Sequence, residues 1–468
     1  MTLNKINSDM TRGNLWFQML VFSLPLIFCN LLQVLFNMAD LAIVGRFSGS
    51  LALGSVGSTS MIVNLFVGFL IGEAGGINVL VAREKGAGNG SNAGKTVHTA
   101  FALSVIIGVS LAAVGFVLTR PVLVAMNTKS ELLEGAVTYL RIYMLGMPAM
   151  AIFNFGNAVL NAVGETKKPL YYLTTAGITN VALNLVFVIV FELSTLGVAL
   201  ATVISQYLSA VLIISYLVRV KDEDIRLKWN SIRLDKERAK ALLGICIPSG
   251  LQNAIFFLAN IFVQVGVNTF DAVMVSGNAA ATNADGLVYD VMAAIYTAIS
   301  SFMGQNFGAG NRKRVIKSYY IGMIYSIGAG LVLGVGLYAF GEQFLSLFAK
   351  EKDVIAAGME KLAVMGLTYW ISGFMDGTIA ACRGLGRSVV PMYIVFAGSC
   401  AFRLIWIFTV FRYFGTIESL YLLYSASWTL TAIFEIIYFV RIYRYECKSG
   451  ALFRERTSAS EIPICENR

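Results

Sequence analysis

Charged residues are scarce in this sequence. Asp, Glu, Lys and Arg make up 13% of its 468 residues and hydrophobic side chains 57%, whereas soluble domains carry roughly 25% charge. A mean hydropathy of +0.71 is too apolar for a water-soluble surface of this size. Prolines number only seven, while the 44 glycines suit membrane helices, whose backbones approach closely at small residues. Histidine is nearly absent. With His98 alone, no H-E-x-x-H zinc site can form, and no G-x-x-x-x-G-K-[ST] loop is there to bind ATP. A serine–histidine pair would have to draw on His98, near the start of the third apolar segment. The six cysteines form no C-x-x-C pair and are read as reduced thiols, without a disulfide framework or a metal. No short apolar stretch near the first residue ends in a small-residue cleavage site, so the first helix is expected to be its own insertion signal. These absences point away from an enzyme and from an ATP-driven pump, and toward transport powered by an ion gradient.

What is abundant is apolar sequence in long runs. Windows of about 19 residues mark twelve spans, at 15–45, 51–79, 95–120, 132–160, 168–192, 196–219, 241–268, 276–303, 316–341, 355–382, 390–412 and 418–441. Alternate assignment of the loops puts 27 of the 36 Lys and Arg on one side and six on the other, with Arg141, Lys361 and Arg403 inside or at the edges of helices. The positive-inside rule then predicts that both termini are cytoplasmic. The net charge of +9 is thereby explained by topology and calls for no nucleic-acid partner.

An internal repeat organises the chain. "AREKGAGNGSNAGK" (82–95) and "GQNFGAGNRKRVIK" (304–317) align at an offset of 222, and so do "NAVGETKKP" (161–169) and "RGLGRSVVP" (383–391). Pro25 and Pro248 differ by 223. Two stretches sharing one offset indicate a duplicated unit. Six spans per unit is an even number, so both halves run in the same direction, related by a pseudo-twofold axis along the membrane normal. The expected architecture is an all-α polytopic membrane protein of twelve transmembrane helices in two six-helix bundles. Its parts are an N-terminal segment 1–14, an N-lobe 15–219, a charged cytoplasmic linker 220–240, a C-lobe 241–445 and a polar, disordered tail 446–468. The linker is read as a solvated amphipathic connector.

Polar residues inside the spans are the candidate site. The stretch "VLFNMADLAIVGR" (34–46) sets Asp40 in the first span, and a charge at bilayer depth costs about 2.5–3.5 kcal/mol or more. Asp40 must bind a cation, pair with a basic group or hold a proton; the plain structural alternative is a carboxylate at the outer surface near Arg46. Asn180 and Asn184 in the fifth span share a helix face at a spacing of four, and the sixth supplies Thr202. Together these oxygens make a hard cage suited to a small cation such as Na+, although two asparagines also serve as interhelical hydrogen-bond glue. Asp376 in the tenth span is a second intramembrane carboxylate. With Asn37 and Asn154 it forms a further set of candidates for substrate contact or a second site. Asp285, Asp290, Glu73 and Glu435 read as members of internal ion pairs or as interface residues, with Arg403 the natural partner for one of them. Trp370, Trp406, Tyr369 and Phe36 could line an organic-cation pocket, but in a chain that is 12% aromatic they serve equally as packing.

Five stretches, in chain order "NMADLAIVGRFSG", "NAVGETKKP", "GVALATVISQ", "GQNFGAGN" and "CRGLGRSVVP", resemble the multidrug and toxic compound extrusion (MATE) family over residues 12 to 445. The resemblance implies a bacterial antiporter of the plasma membrane, a monomer without a cofactor. It exports organic, mostly cationic and amphipathic compounds as Na+ or H+ enters. It also implies a first-half cation site at Asp40, Asn180, Asn184 and Thr202. The NorM-like branch pairs a Glu in the seventh helix with an Asp in the tenth, but the seventh span here has no carboxylate. The expectation is therefore coupling in the first half: the cation occupies or protonates Asp40, weakens its hold on a cationic drug, and releases the drug outward. A lipid-linked oligosaccharide flippase of the same superfamily is the alternative, although few basic residues lie inside the spans. An intramembrane enzyme would need a catalytic pair that no motif shows.

Overall fold

The structure, a computed structural model, describes residues 9–449. Part of the 1–14 segment and the tail beyond Ser449, with Cys465, lie outside the described residues. The first half contains α1 (Leu15–Phe47), α2 (Gly49–Gly86), α3 (Gly90–Ala125), α4 (Ser130–Leu145), α5 (Met147–Ala162), α6 (Lys167–Leu185, prolonged by a π-helical turn over Val186–Val190) and α7 (Ser194–Arg219). The second contains α8 (Lys236–Val267), α9 (Ala272–Gly308), α10 (Arg312–Ala339), the short α11 (Gly341–Leu345) and α12 (Lys352–Gly384). It ends with α13 (Val389–Val395), α14 (Phe402–Trp406) and α15 (Arg412–Phe414), joined through π-helical turns into one run, and α16 (Ile417–Ser449). Eleven helical stretches are long and apolar enough to cross a membrane, and a bent pair supplies a twelfth crossing.

That pair, α4 and α5, is the expected span 132–160, bent in its middle. The two helices meet at 45°, because Pro148 near the start of α5 cannot donate a backbone hydrogen bond and its ring crowds the preceding turn. The other spans run longer than their apolar cores, with α2 continuing to Gly86 and α9 to Gly308.

The repeated motifs turn out to be turn chemistry. In each G-A-G-N the second glycine is left-handed, Gly88 at φ +68° and Gly310 at φ +74°. The following Asn caps the next helix, Asn89 accepting from Asn92 N–H and Asn311 from Arg314 N–H. Gly164 and Gly386 occupy the same φ region at the second repeated turn.

The first glycines of the two motifs show the pseudo-twofold relation directly. A Cβ on Gly86 would stand 1.8 Å from the Gln305 carbonyl, and one on Gly308 would stand 1.9 Å from the Arg83 carbonyl. Both pairs are related by the offset of 222. The ends of α2 and α9 therefore cross backbone to backbone, each presenting the same surface to the other.

Hydrogen bonds between the halves gather at this end, which also carries the linker. Asn78 accepts from Ser301 at 2.9 Å, Gln305 donates to the Ala162 carbonyl at 3.2 Å, and Met10 N–H donates to Gln305 at 2.8 Å. Arg314 clasps the segment before α1, donating to the carbonyls of Met10, Gly13 and Arg12 and to Gln18 at 2.7–3.0 Å. Nearby, burial works against ionised Asp9, but hydrogen bonds from Thr11 and the charges of Arg12 and Arg314 outweigh it and hold the carboxyl below its usual range. The start of α1 packs into the second half's core, with Phe22 edge-on to Phe302 at 5.5 Å.

The linker is docked on the N-lobe, not solvated throughout. Ile225 and Leu227 are buried, Lys85 pairs with Asp222 and Asp224 at 2.8 and 2.7 Å, and Arg238 pairs with Glu84. His98 serves this docking: its Nδ1 faces the Gly94 carbonyl and its Nε2 accepts from Lys228 N–H at 2.9 Å. The last five expected linker residues already belong to α8, which Asp235 caps. Cys29, Cys246, Cys382 and Cys400 are free and buried.

Candidate functional site

Asp40 sits on α1, in the half of the helix away from the linker end, and is buried. Close approach of α1 to α6 places it there. The Phe36 ring lies against bare backbone at Gly177, where a Cβ would come within 1.8 Å of the ring. One turn on from Phe36, Asp40 then meets the α6 face that carries Asn180 and Asn184. A spacing of four keeps the two amides together, with Asn184 Nδ2 donating to Asn180 Oδ1 at 3.4 Å.

The four expected residues are brought into one cluster. Asn184 Nδ2 donates to Asp40 Oδ1 at 2.5 Å, and Thr202 Oγ1 lies 3.2 Å from Asp40 Oδ2. Thr202 also reaches the Val198 carbonyl at 2.9 Å, and Asn180 Nδ2 lies 3.5 Å from Thr202 Oγ1. Asp40, Asn180 and Asn184 are all buried. Among the described residues no basic side chain pairs with Asp40. The site therefore holds a carboxylate ringed by neutral oxygens and amides. Asn184 Oδ1 is buried beside it without a hydrogen-bond partner, an acceptor left over at the edge of the cage.

The further candidates lie elsewhere. Asn37 is exposed, one turn from Asp40. Asn154 donates to the Met150 carbonyl of its own helix at 3.0 Å. Asp376 is buried in the C-lobe, on α12. Glu73 accepts from Ser104 at 2.9 Å, and the backbone carbonyl of Asp290 accepts from Asn30 at 2.8 Å. Asp285 pairs with Lys361 at 2.9 Å and accepts from Tyr369. Arg403 corrects the expectation of a carboxylate partner. Its guanidinium donates to Asn260 at 2.7 Å and to Ser427 at 3.1 Å and lies 4.7 Å from the Tyr424 ring. Neutral acceptors and a π face hold that cation, while Lys361 takes the ion pair.

Comparison with known proteins places this geometry. The MatE family model matches twice, over residues 25–186 and 248–409, the second match beginning 223 residues after the first. The chain belongs to the MatE family. The double match is the sequence repeat seen from outside, and it reaches through five spans each time, ending before the sixth span of each half. Among curated relatives, the chain is similar to the probable multidrug resistance protein YpnP of Bacillus subtilis, 29% identical over 392 residues, 83% of this chain and 87% of that one. It is also similar to a probable multidrug resistance protein NorM of Thermotoga maritima, 24% identical over 408 residues, 85% and 86% of the two chains. A solved structure of a multidrug resistance MATE family transporter in an outward-facing conformation shares the fold, with TM-score 0.87 at 19% identity, covering 94% of this chain and 98% of that one. MatE proteins are multi-span membrane transporters, and these relatives do not favour the flippase alternative.

Sequence reasoning missed Tyr139 and Tyr143 on α4. Both are buried, stack at 6.0 Å and lie within electrostatic reach of Asp40. The signal was available as a Tyr-x-x-x-Tyr spacing, which sets two phenols on one helix face. It is hidden by the 20 tyrosines of the chain, most of which carry no such meaning.

Proposed function

We propose that this chain exports organic, mostly cationic and amphipathic compounds across the plasma membrane in exchange for Na+ or H+ by alternating access, with Asp40 as the coupling charge. Both termini and the basic linker then face the cytoplasm, and the lobes are closed on that side and free to part on the other. The transporter works as a monomer and uses no ATP.

The observation that carries the reading is a buried Asp40 held by neutral donors alone. A carboxylate in that setting is short of a positive charge, and three kinds of ligand can supply one. A proton on Asp40 can be donated to the spare Asn184 Oδ1. A sodium ion would draw on Asp40, Asn180 Oδ1, Asn184 Oδ1 and Thr202 Oγ1, with the Asn184 amide turned so that its oxygen faces inward. A cationic drug in the cavity would be attracted by the same charge. Coupling follows because occupation by one cation removes the attraction for the other, provided the two differ in affinity between the outward and inward states.

Competition tests this reading. Tetraphenylphosphonium binding to the purified wild-type protein is expected to weaken as Na+ is added or pH is lowered, and the Asp40→Asn variant is expected to lose that dependence. Binding by the variant that still responds as the wild type does would exclude Asp40 as the shared site.

A further inference from the structure

Glu435 on α16 differs from Asp40, Glu73 and Asp285, the acids that the structure ties to polar partners. It has no exposed surface, and neither carboxylate oxygen has a hydrogen-bond partner. Glu73, Asp40 and Asp285 each accept at least one hydrogen bond. The face of α16 that carries Glu435 is otherwise engaged. Ser427 receives Arg403 at 3.1 Å, and Thr431 meets Ser399 at 3.1 Å. Glu435 continues the row at the same spacing of four and meets nothing.

Nor is a counter-charge at hand. Eight residues of helix put Glu435 about 12 Å along the axis from Ser427 and its arginine. The titratable groups within electrostatic reach of Glu435 are Asp376 and Cys382 from α12 and Tyr438 on its own helix. Arg387, in the turn before α13, lies within reach of Tyr438, and Arg403, after α13, lies within reach of Asp376 and Cys400. Asp376, the acidic group facing Glu435, repels a negative charge there. An ionised carboxylate with these surroundings would be an uncompensated charge in a low-dielectric interior. A metal ion would need several oxygen ligands in its inner sphere, and among the described residues no group of three or more His, Cys, Asp and Glu side chains is placed to hold one. A proton needs one oxygen only.

We propose that Glu435 is a second coupling site, in the C-lobe, and that its ligand is a proton. The proposal rests on the reading of this chain as a cation-coupled antiporter. In the present arrangement of the lobes the proton is occluded between α12 and α16. When that interface loosens and admits water, the carboxylic O–H gives its proton to water and the carboxylate is solvated. The second half thus regains an acid–acid pair around Asp376, with the partner supplied by the twelfth span and not the seventh. Each cycle moves this proton in addition to the cation at Asp40.

Infrared spectroscopy and transport together test the assignment, on wild type, Glu435→Gln and Asp40→Asn reconstituted in lipid. At neutral pH a protonated-carboxyl C=O band is expected in wild type, retained in Asp40→Asn and lost in Glu435→Gln. In proteoliposomes with the membrane potential clamped, a tenfold proton gradient should sustain an ethidium ratio about tenfold smaller in Glu435→Gln than in wild type, one coupled proton having been lost. Size-exclusion profiles and Glu435→Asp, which keeps the titrating group, control for misfolding. Absence of a Glu435-dependent band would overturn the proposal, since the residue would then be ionised. So would a band combined with wild-type ethidium ratios in Glu435→Gln, which would make it a structural neutral acid. Cation coupling that survives unchanged in Asp40→Asn would sink the N-lobe reading and leave the Glu435 band unchanged, so the two failures are distinguishable.

Discussion

Asp40 accepts from Asn184 and lies within hydrogen-bond distance of Thr202, and both partners are neutral. The result is a carboxylate whose shape is satisfied and whose charge is not, which separates two kinds of substitution. Asp40→Asn keeps the shape and removes the charge, so the protein should fold and reach the membrane while gradient-driven efflux falls to no more than the one-proton component assigned to Glu435. Asn184→Ala instead removes a donor and leaves the charge. It is expected to cost about 1–3 kcal/mol of stability, read as a lower thermal unfolding temperature in detergent, and to weaken the cation's competition with drug. An Asn184→Ala protein as stable as wild type would mean that the short Asn184–Asp40 contact contributes little. At this scale the sequence was informative for one reason: an acid in an apolar run has few tolerable explanations. Tyr139 and Tyr143 escaped notice because buried tyrosines are ordinary.

Elements carry the motion, and the crossing of α2 and α9 is where it is most constrained. Gly86 and Gly308 let two carbonyls approach to distances that any side chain would forbid. Gly86→Ala or Gly308→Ala must push the lobes apart at the linker end, at a cost beyond the about 1–3 kcal/mol of ordinary overpacking. The expected outcome is a population opened at the linker end, detected as faster maleimide labelling of buried Cys246 on α8; labelling at the wild-type rate would show that the crossing is not a gate. Arg314→Ala, which releases four acceptors before and within α1, should act in the same direction more weakly, seen as quicker proteolysis of the N-terminal segment in inside-out vesicles. The repeat motifs were legible as repeats from the sequence, but their meaning was not. That Gly86 touches Gln305, and Gly308 touches Arg83, depends on which faces of two distant helices meet, and no local pattern encodes that. The bend between α4 and α5 was legible in Pro148, yet the apolar run across it reads as one span.

On the scale of the whole molecule, two similar halves differ in the sign of the charge they hold at matching depth. By the 223-residue offset that separates Pro25 from Pro248 and one family-model match from the other, the position of Asn180 in the first half corresponds to Arg403 in the second, and that of Asp40 to Val263. The N-lobe thus keeps a carboxylate in need of a cation, while the C-lobe has a built-in guanidinium bound to Asn260 and Ser427. This asymmetry suits a protein in which drug and coupling cation compete in one lobe while the other exchanges a proton alone, and it explains why the second-half site could not be read by analogy with the first. The twelve-span, two-bundle architecture was open to sequence reading because apolar length and repeat spacing are long-range signals. The Lys361–Asp285 pair was not, since it depends on the packing of α9 against α12.

The most direct test of the central claim is ethidium efflux from proteoliposomes, with a Na+ gradient and a pH gradient imposed separately on wild type and Asp40→Asn. At least one gradient is expected to drive efflux in wild type, and Asp40→Asn is expected to lose the part coupled at Asp40, leaving at most the one-proton component assigned to Glu435, while ethidium still binds. Gradient-driven efflux at the wild-type rate in the variant would contradict the assignment of the coupling charge to Asp40.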